Sequence, residues 1–474
     1  MSVTNLVFIL SDDQGQWAAG CYGNDDIHTP NLDRLAATGM RFDRCFCTSP
    51  VCSPSRASYL TGQIPSAHGV HDWIRDGNVP PDEEAAEPAW PAVPYLEDQA
   101  TYSSVLAANG YDCALSGKWH LGDSMTPQAG YDRWFVHQRG GGPYYDAPVV
   151  RDGVREREPN YITDAITDEA LSFLDDLAEP FHLSVQYTAP HSPWTADGNA
   201  DGQHPPAITA RYDDCPFKSC PQEPMHPDAT GLTRANMGSH ESIKGYFAAV
   251  TAMDRQIGRI LDRLEGRGVR DRTLVVFTSD NGFSCGHHGF WGKGNGTFPM
   301  NMYEESVLVP CLASHPGRIP AGETTDAMVN GYDFFPTFLE YLLECVPDGY
   351  DGPGRSIVPV LEGTTSETDD RIVAHSEYGT VRMLRTDRWK YVHRYPYGPH
   401  QLFDLANDPE ERTNLIEEPG HADRVAAMRA ELADWFASYV DPDLDGSQFP
   451  VTGRGQHTRI DEETPGEGVF HPRD

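Results

Sequence analysis

Lysine is almost missing from this chain. Five occur in 474 residues: Lys118, Lys218, Lys244, Lys293 and Lys390. Positive charge as a whole is short, with 36 Lys plus Arg against 71 Asp plus Glu and a formal net charge of −35. So acidic a surface repels phosphate backbones, which excludes nucleic acid as a partner. It is the balance expected of a protein kept soluble at high salt, as halophilic proteins are. Also missing is any apolar run approaching the ~20 residues that span a bilayer, so no membrane partner is expected. Met1 to Leu10 has no basic start and runs into Ser11, Asp12 and Asp13. That reads as a buried strand, not a secretory leader, and a cytoplasmic location is the expectation. The ten cysteines show neither the dense spacing of a disulfide scaffold nor the Cys-x-x-Cys pairs of a structural zinc site. Scarcity has a converse. A lysine retained inside a Gly-rich segment becomes a candidate for function.

What is present is a core. Hydrophobic residues make up 39% of the chain and aromatics 10%, enough to exclude wholesale disorder. Residues 5–10 form an apolar run closed by Ser11-Asp12-Asp13, the pattern of a buried parallel strand. Strand-like runs recur at 111–115, 181–187, 273–278 and 307–313, and helical patterns at 31–39, 99–109, 162–178, 241–265 and 333–344. Residues 53–62 read as a further helix, with Ser53 as cap, Pro54 at the first helical position and Gly62 past the end. Alternation of this kind predicts an α/β fold with a mainly parallel central sheet and helices on both faces, assigned to residues 1–360. Residues 371–405 hold short alternating runs that predict an antiparallel meander. With a helix at 421–439 and a Gly/Pro-rich tail, they make a smaller α+β subdomain, residues 361–474. The Pro-rich stretches 76–94 and 192–235 are expected as loops over the catalytic face.

Two of the predicted strands end in oxygen donors, Asp12-Asp13 and Asp280-Asn281. Sites in parallel α/β sheets form beyond the carboxyl ends of strands. Neighbouring strands would bring three carboxylates and an amide together, a hard set suited to Ca²⁺ or Mg²⁺. Either pair alone reads equally well as turn residues. Cys52 stands just before a helix start, a place that binds anions and favours charged sulfur. A thiolate phosphatase loop wants five residues between Cys and Arg, whereas three separate Cys52 from Arg56.

Cys52-Ser-Pro-Ser-Arg-Ala-Ser-Tyr-Leu-Thr-Gly62 resembles the type I sulfatase signature, Cys-x-Pro-Ser-Arg-x-x-x-Leu-Thr-Gly, of a family with an alkaline-phosphatase-like fold. The resemblance implies that a maturation enzyme converts Cys52 to formylglycine. It places Asp12, Asp13, Asp280 and Asn281 as calcium ligands, with the matured Cys52 beside the metal. Gly117-Lys118-Trp119-His120-Leu121-Gly122 looks like the family segment whose Lys and His contact sulfate and formylglycine. Ala189-Pro190-His191-Ser192-Pro193 is similar to the segment carrying a further active-site His. Gly292-Lys293-Gly294, followed by Met302 to Ser306, resembles the stretch with the second sulfate-binding Lys. Gln401 to Leu405, Asp408-Pro409-Glu410 and Asn414-Leu415 look like the C-terminal sheet signature. Two departures stand out. Leu308 occupies a position where many sulfatases have Arg, and the extra polar residue often found between the two histidines is His137, Gln138 or Arg139.

The activity so implied is hydrolysis of a sulfate monoester to alcohol and inorganic sulfate. One hydroxyl of the hydrated aldehyde, helped by Asp280, attacks sulfur, and His191 or Lys293 protonates the departing alcohol. His120 takes the proton of the second hydroxyl as sulfate leaves, and Arg56 holds the hydrate. Expected partners are the maturation enzyme and a sulfated small molecule or carbohydrate. The alternative on the same scaffold is a phosphonate monoester or phosphodiester hydrolase. A reading from another class is a binding protein whose Cys52 is never matured. His68, His71, His287 and His288 lie beside the motifs and are left between pocket lining and structure. Tyr144, Tyr145 and Trp194 read as core or rim, and the other cysteines as small buried hydrophobes.

Overall fold

The computed structural model describes residues 4–80, 91–365, 374–460 and 468–472, with residues 374–378 given by backbone alone. Eight strands numbered along the chain suffice to locate the candidate site: β1 (Asn5–Ser11), β2 (Met40–Phe46), β3 (Asp112–Lys118), β4 (Arg133–His137), β5 (Ala147–Arg151), β6 (Val154–Glu158), β7 (Phe181–Gln186) and β8 (Thr273–Ser279). They belong to an 11-stranded sheet. At its centre β8, β1, β7, β3 and β4 run parallel. Both flanks turn antiparallel, through β5 and β6 on one side and Cys311–Ser314 on the other.

β1 shows why the sheet is buried on both faces. Val7 and Ile9 point into one core, with Ala165, Ile166, Ala249 and Met253 from the helices Ile162–Asp176 and His240–Gly266. Leu6, Phe8 and Leu10 point into the other, with Leu106, Phe334 and Phe338 from Tyr102–Ala108 and Phe334–Leu343. Alternation with period two sends successive residues to opposite faces, and only helices on both sides can cover them.

Several details differ from expectation. Helix α1 spans Cys52–Thr61, with Val51 as its N-cap and Gly62 left-handed at its end. Pro54 is therefore the third helical residue, not the first. A first-turn N–H has no partner within its helix, so proline is tolerated there as well. The run at 307–313 is broken at Pro310 into Leu308–Val309 and Cys311–Ser314, both antiparallel to β2. Leu308 pairs with Phe46. β2, β4 to β6 and Glu323–Asn330 are strands that the apolar pattern does not reveal.

The meander forms Ala374–Tyr378, Val381–Arg385, Trp389–Arg394 and Gln401–Asp404 in sequential antiparallel order. Residues 371–373 lie outside the described residues, as do 81–90 of the first Pro-rich stretch and 461–467 of the tail. Helix Ala422–Tyr439 covers this sheet with Met428, Leu432 and Phe436. All ten cysteines are free, and Cys345 is exposed rather than a buried hydrophobe. No described helix is long and apolar enough to cross a membrane.

Candidate active site

Parallel pairing of β1 with β8 in the register Ser11↔Ser279, and with β7 in the register Leu10↔Gln186, aligns three strand ends. Beyond them Asp12 N donates to Ala189 O and Asp280 N to Ser11 O, both at 3.0 Å. The loops carrying Asp12-Asp13, Asp280-Asn281 and His191 therefore leave the sheet side by side. Asp13 takes a left-handed backbone, φ 66°, which Asp tolerates better than most residues. Asp280 Oδ1 accepts from its N–H at 3.2 Å.

Cys52 opens α1 within this group. Its Sγ lies 3.4 Å from Asp12 Oδ1 and accepts from Lys293 Nζ at 2.7 Å. Lys293 also donates to Asp13 Oδ1 at 2.5 Å, and Lys118, at the end of β3, donates to Asp12 Oδ2 at 2.6 Å. Arg56, one turn into α1, donates from Nε to Asp280 Oδ2 at 2.9 Å and from Nη1 to Gln186 Oε1 at 2.6 Å. Three carboxylates thus face three cations in a fully buried cluster, and each charge depends on the others. Burial would raise the Asp12 carboxyl, but Lys118, His191 and Arg56 hold it well below the usual range. Burial and the neighbouring Asp12 push Asp280 upward against Arg56. Burial works against charge on Lys293, yet Asp13 holds it well above its ordinary value. The Cys52 thiol is pushed up to about 12 by burial, against the pull of both lysines.

One side of the cluster opens on a cavity of about 830 Å³. Asp13, Cys52, His120, His191 and Lys293 reach its wall, whereas Asp12, Arg56, Lys118, Asp280 and Asn281 lie behind them. His191 Nε2 is 3.8 Å from Asp13 Oδ2, and its ring rests on Gly141. Burial lowers its pKa while Asp12 and Asp13 oppose. His120 is pushed well below the ordinary histidine value by burial and by Lys118, so its imidazole is neutral. Of the three candidates between these histidines, Arg139 lines the cavity. Gln138 Nε2 donates to Val149 O at 3.0 Å, and His137 lies under Gly142. Trp194 lines the cavity too, with Trp73, Arg75, Asp76, Phe283 and Asn295 among its other walls. His68, His71, His287 and His288 do not line it; His68 bonds Ser58 Oγ and the Val70 N–H.

The donor set fits a hard divalent cation. Asp12, Asp13, Cys52 and Asp280 offer ligand atoms that all lie within 4.8 Å of one another. Asn281 Nδ2 donates to Asp13 Oδ1 at 2.9 Å, yet its Oδ1 is buried with no hydrogen-bond partner. An orphaned buried acceptor costs about 1–3 kcal/mol. A cation beside it would remove that cost. One partner of the site escaped the sequence reading, and a second was read as core or rim without its contact to the site. Gln186 holds Arg56, and the Tyr144 hydroxyl donates to the His191 carbonyl at 2.9 Å. Gln186 closes an apolar strand just before the His191 segment, a signal that was available. Tyr144 had none.

Residues 4–343 match the family model described as sulfatase, and residues 286–437 match that of the N-sulphoglucosamine sulphohydrolase C-terminal region. An N-acetylglucosamine-6-O-sulfatase of Bacteroides thetaiotaomicron is 29% identical over 517 residues, covering 93% of this chain and 88% of that protein. An ulvan-active sulfatase of Formosa agariphila is 29% identical over 443 residues, covering 88% and 77%. Among solved structures, a protein in complex with its substrate D-glucosamine-2-N,6-O-disulfate superposes with a TM-score of 0.76 at 26% identity, covering 94% of this chain and all of that one.

Proposed function

The chain belongs to the sulfatase family, and from that premise we propose how its residues divide the work of hydrolysing a sulfate monoester to alcohol and inorganic sulfate. The observation that carries the proposal is the setting of Cys52. It sits at a helix start between Lys293 and Asp12, and its thiol is pushed up to about 12. A thiol so protonated at neutral pH is a poor nucleophile, which supports conversion of Cys52 to formylglycine. Matured, it would supply a hydrated aldehyde with two hydroxyls, one to attack sulfur and one to drive sulfate release.

Asp12, Asp13, Asp280 and Asn281 would hold a Ca²⁺ or Mg²⁺ ion, which supplies positive charge beside the sulfate oxygens. The remaining roles belong to side chains of the chain itself. Lys293, in the cavity wall, and Lys118, behind it, add positive charge. Asp280, raised by burial and held by Arg56, accepts a proton as the nucleophile attacks. Arg56 donates from Nε to Asp280 and from Nη1 to Gln186 and the Lys118 carbonyl, and its Nη2 lies 2.8 Å from Asp280 Oδ2, so it orients Asp280. His120, neutral, takes the proton that must leave before sulfate is released. His191 protonates the departing alcohol. Lys293 is the weaker candidate for that step, because an ammonium held well above its ordinary value gives up its proton reluctantly.

The substrate class we propose is a sulfated carbohydrate. Aromatic walls at Trp73, Trp194 and Phe283 alternate with polar Arg75, Asp76, Arg139 and Asn295, and the relatives named above act on or bind sulfated sugars. We propose a high-salt setting as well, because Lys218 alone of the five lysines is exposed. Side-by-side turnover of aryl sulfate and aryl phosphonate monoesters, read as kcat/KM at low and high KCl, tests the reaction class and the salt setting. Intact mass of the Cys52 peptide tests maturation, which lowers the mass by about 18 Da. An unmodified thiol in fully active enzyme would refute the formylglycine reading.

A further inference from the structure

His120 sits in a left-handed backbone, φ 56°, with its ring flat against Gly140, where a Cβ would come within 2.1 Å of the imidazole. Nε2 lies 2.8 Å from the carbonyl oxygen of Ile74. A carbonyl can only accept, so Nε2 carries the proton. Nδ1, which has no hydrogen-bond partner, keeps its lone pair. Which nitrogen is basic is therefore decided by the position of the Ile74 carbonyl.

That carbonyl belongs to a strap, residues 71–76, whose residues 73–76 form part of the cavity wall. The strap is pinned from two directions. On one side Ile74 N donates to Ser53 Oγ at 3.0 Å, beside Cys52. On the other lies Gln456, from the far end of the chain. Gln456 N donates to Trp73 O at 2.8 Å, and Arg75 N donates to Gln456 O at 2.9 Å, bracketing Ile74. The Gln456 side chain is fully buried. Its Oε1 accepts from His71 N at 2.9 Å and Asp72 N at 3.4 Å, and its Nε2 donates to Gly69 O and Thr458 O, both at 3.0 Å. One residue on, His457 Nδ1 lies 2.6 Å from Asp76 Oδ2. So complete a use of one carboxamide is more than packing a chain terminus requires.

We propose that Gln456 is a positioning residue: by clamping residues 69–75 it holds the Ile74 carbonyl against His120 Nε2 and fixes the tautomer whose Nδ1 accepts a proton during catalysis. The inference rests on the reading of His120 as that acceptor, and its test separates the two. The test uses the full chain with Gln456→Met, which keeps side-chain length and removes the amide. Protein labelled with ¹⁵N-histidine reports the tautomer of His120, assigned by the resonance lost in His120→Gln. Wild type should show Nε2 protonated, and Gln456→Met should lose that signature. Its kcat should fall about 10–100-fold, the scale seen when partners that orient metal-ligating imidazoles are lost, with KM changing less than about threefold. A wild-type His120 protonated on Nδ1 overturns the proposal however the variant folds. So does a folded Gln456→Met that loses thermal stability but keeps both tautomer and kcat. If His120→Gln keeps full kcat, the proton-acceptor reading is what fails, and the tautomer shift still decides the positioning.

Discussion

Two buried clusters in this molecule hold three carboxylates each, and what separates them is access rather than charge. Around Cys52, Asp12, Asp13 and Asp280 face Lys118, Lys293 and Arg56. Around Lys390, Glu304, Glu305 and Glu411 face Lys390, Arg385 and His288. Lys390 Nζ lies 2.6 Å from Glu304 and 2.7 Å from Glu411, and donates to Met302 O at 2.8 Å. His288 pairs with Glu305 at 3.2 Å and stacks on Tyr303 at 3.8 Å. This second cluster joins the turn Glu304–Val307 to strand Trp389–Arg394, and through them the large sheet to the small one. It borders none of the cavity. The first cluster opens on the cavity and leaves the Asn281 acceptor unpaired. What marks a buried ionic cluster as a candidate reactive site is the way in.

The sharpest way to break that comparison is to disable each cluster and ask what is lost. Cys52→Ala should reduce turnover of an aryl sulfate to background while leaving the melting temperature near wild type, since alanine suits a helix start. Depletion of Ca²⁺ and Mg²⁺, verified by elemental analysis, should likewise remove most activity, because Lys118, Lys293 and Arg56 are already paired with the three carboxylates and leave no net positive charge for an anionic substrate. Full turnover in either case would sink the corresponding assignment.

His120→Ala comes next, at about 10²–10⁴-fold in steady-state kcat for loss of a general base. Because the proposed role of His120 falls after the alcohol has left, a rapid burst of about one alcohol per site should precede the slow phase. A slowed burst would instead put His120 in the first step or in binding. His191→Ala should lose the burst, with a deficit that shrinks as the leaving alcohol becomes more acidic.

The contrast also explains what could be read from the sequence. β1 and β8 were legible because each is an unbroken apolar run halted by acid, and the metal-ligand candidates stand where those runs stop. β6, Val-Arg-Glu-Arg-Glu, was not, because it is an edge strand with four charged residues out of five and no apolar alternation remains. Glu304 and Glu305 lie in a segment that resembles the stretch after Lys293, yet they serve the junction, and motif adjacency could not show that. Gln186, Tyr144 and Gln456 act through contacts with residues far along the chain. Of the three only Gln186, which closes an apolar strand, carried a local signal.

Lys390→Met should invert the first result. Removing one partner of a buried ion pair leaves the others uncompensated, at a cost of about 3–5 kcal/mol. Urea unfolding should show that loss, while kcat/KM of the remaining folded enzyme stays within about twofold, as expected of a residue with no contact to the cavity. A tenfold fall in kcat/KM at full occupancy of the folded state would mean that the two clusters are coupled.

The smallest effect tests the junction by pH. Burial would raise the Glu305 carboxyl, but the bond from His288 and the nearby His287 outweigh it and hold it at about 2, against an ordinary 4.5. A carboxyl lowered on folding binds its proton more weakly in the folded chain than in the unfolded one. Its contribution to stability is therefore present above pH 4.5 and is lost as the pH falls towards 2. Glu305→Gln should cost about 1–3 kcal/mol at pH 7, the scale of a hydrogen bond to a charged group. That gap between wild type and variant should narrow steadily below pH 4.5, with turnover at pH 7 little changed. A gap that stays flat down to pH 3 would mean that the pair adds geometry but no charge stabilisation. A gap that widens on acidification would mean that burial, not His288, governs Glu305.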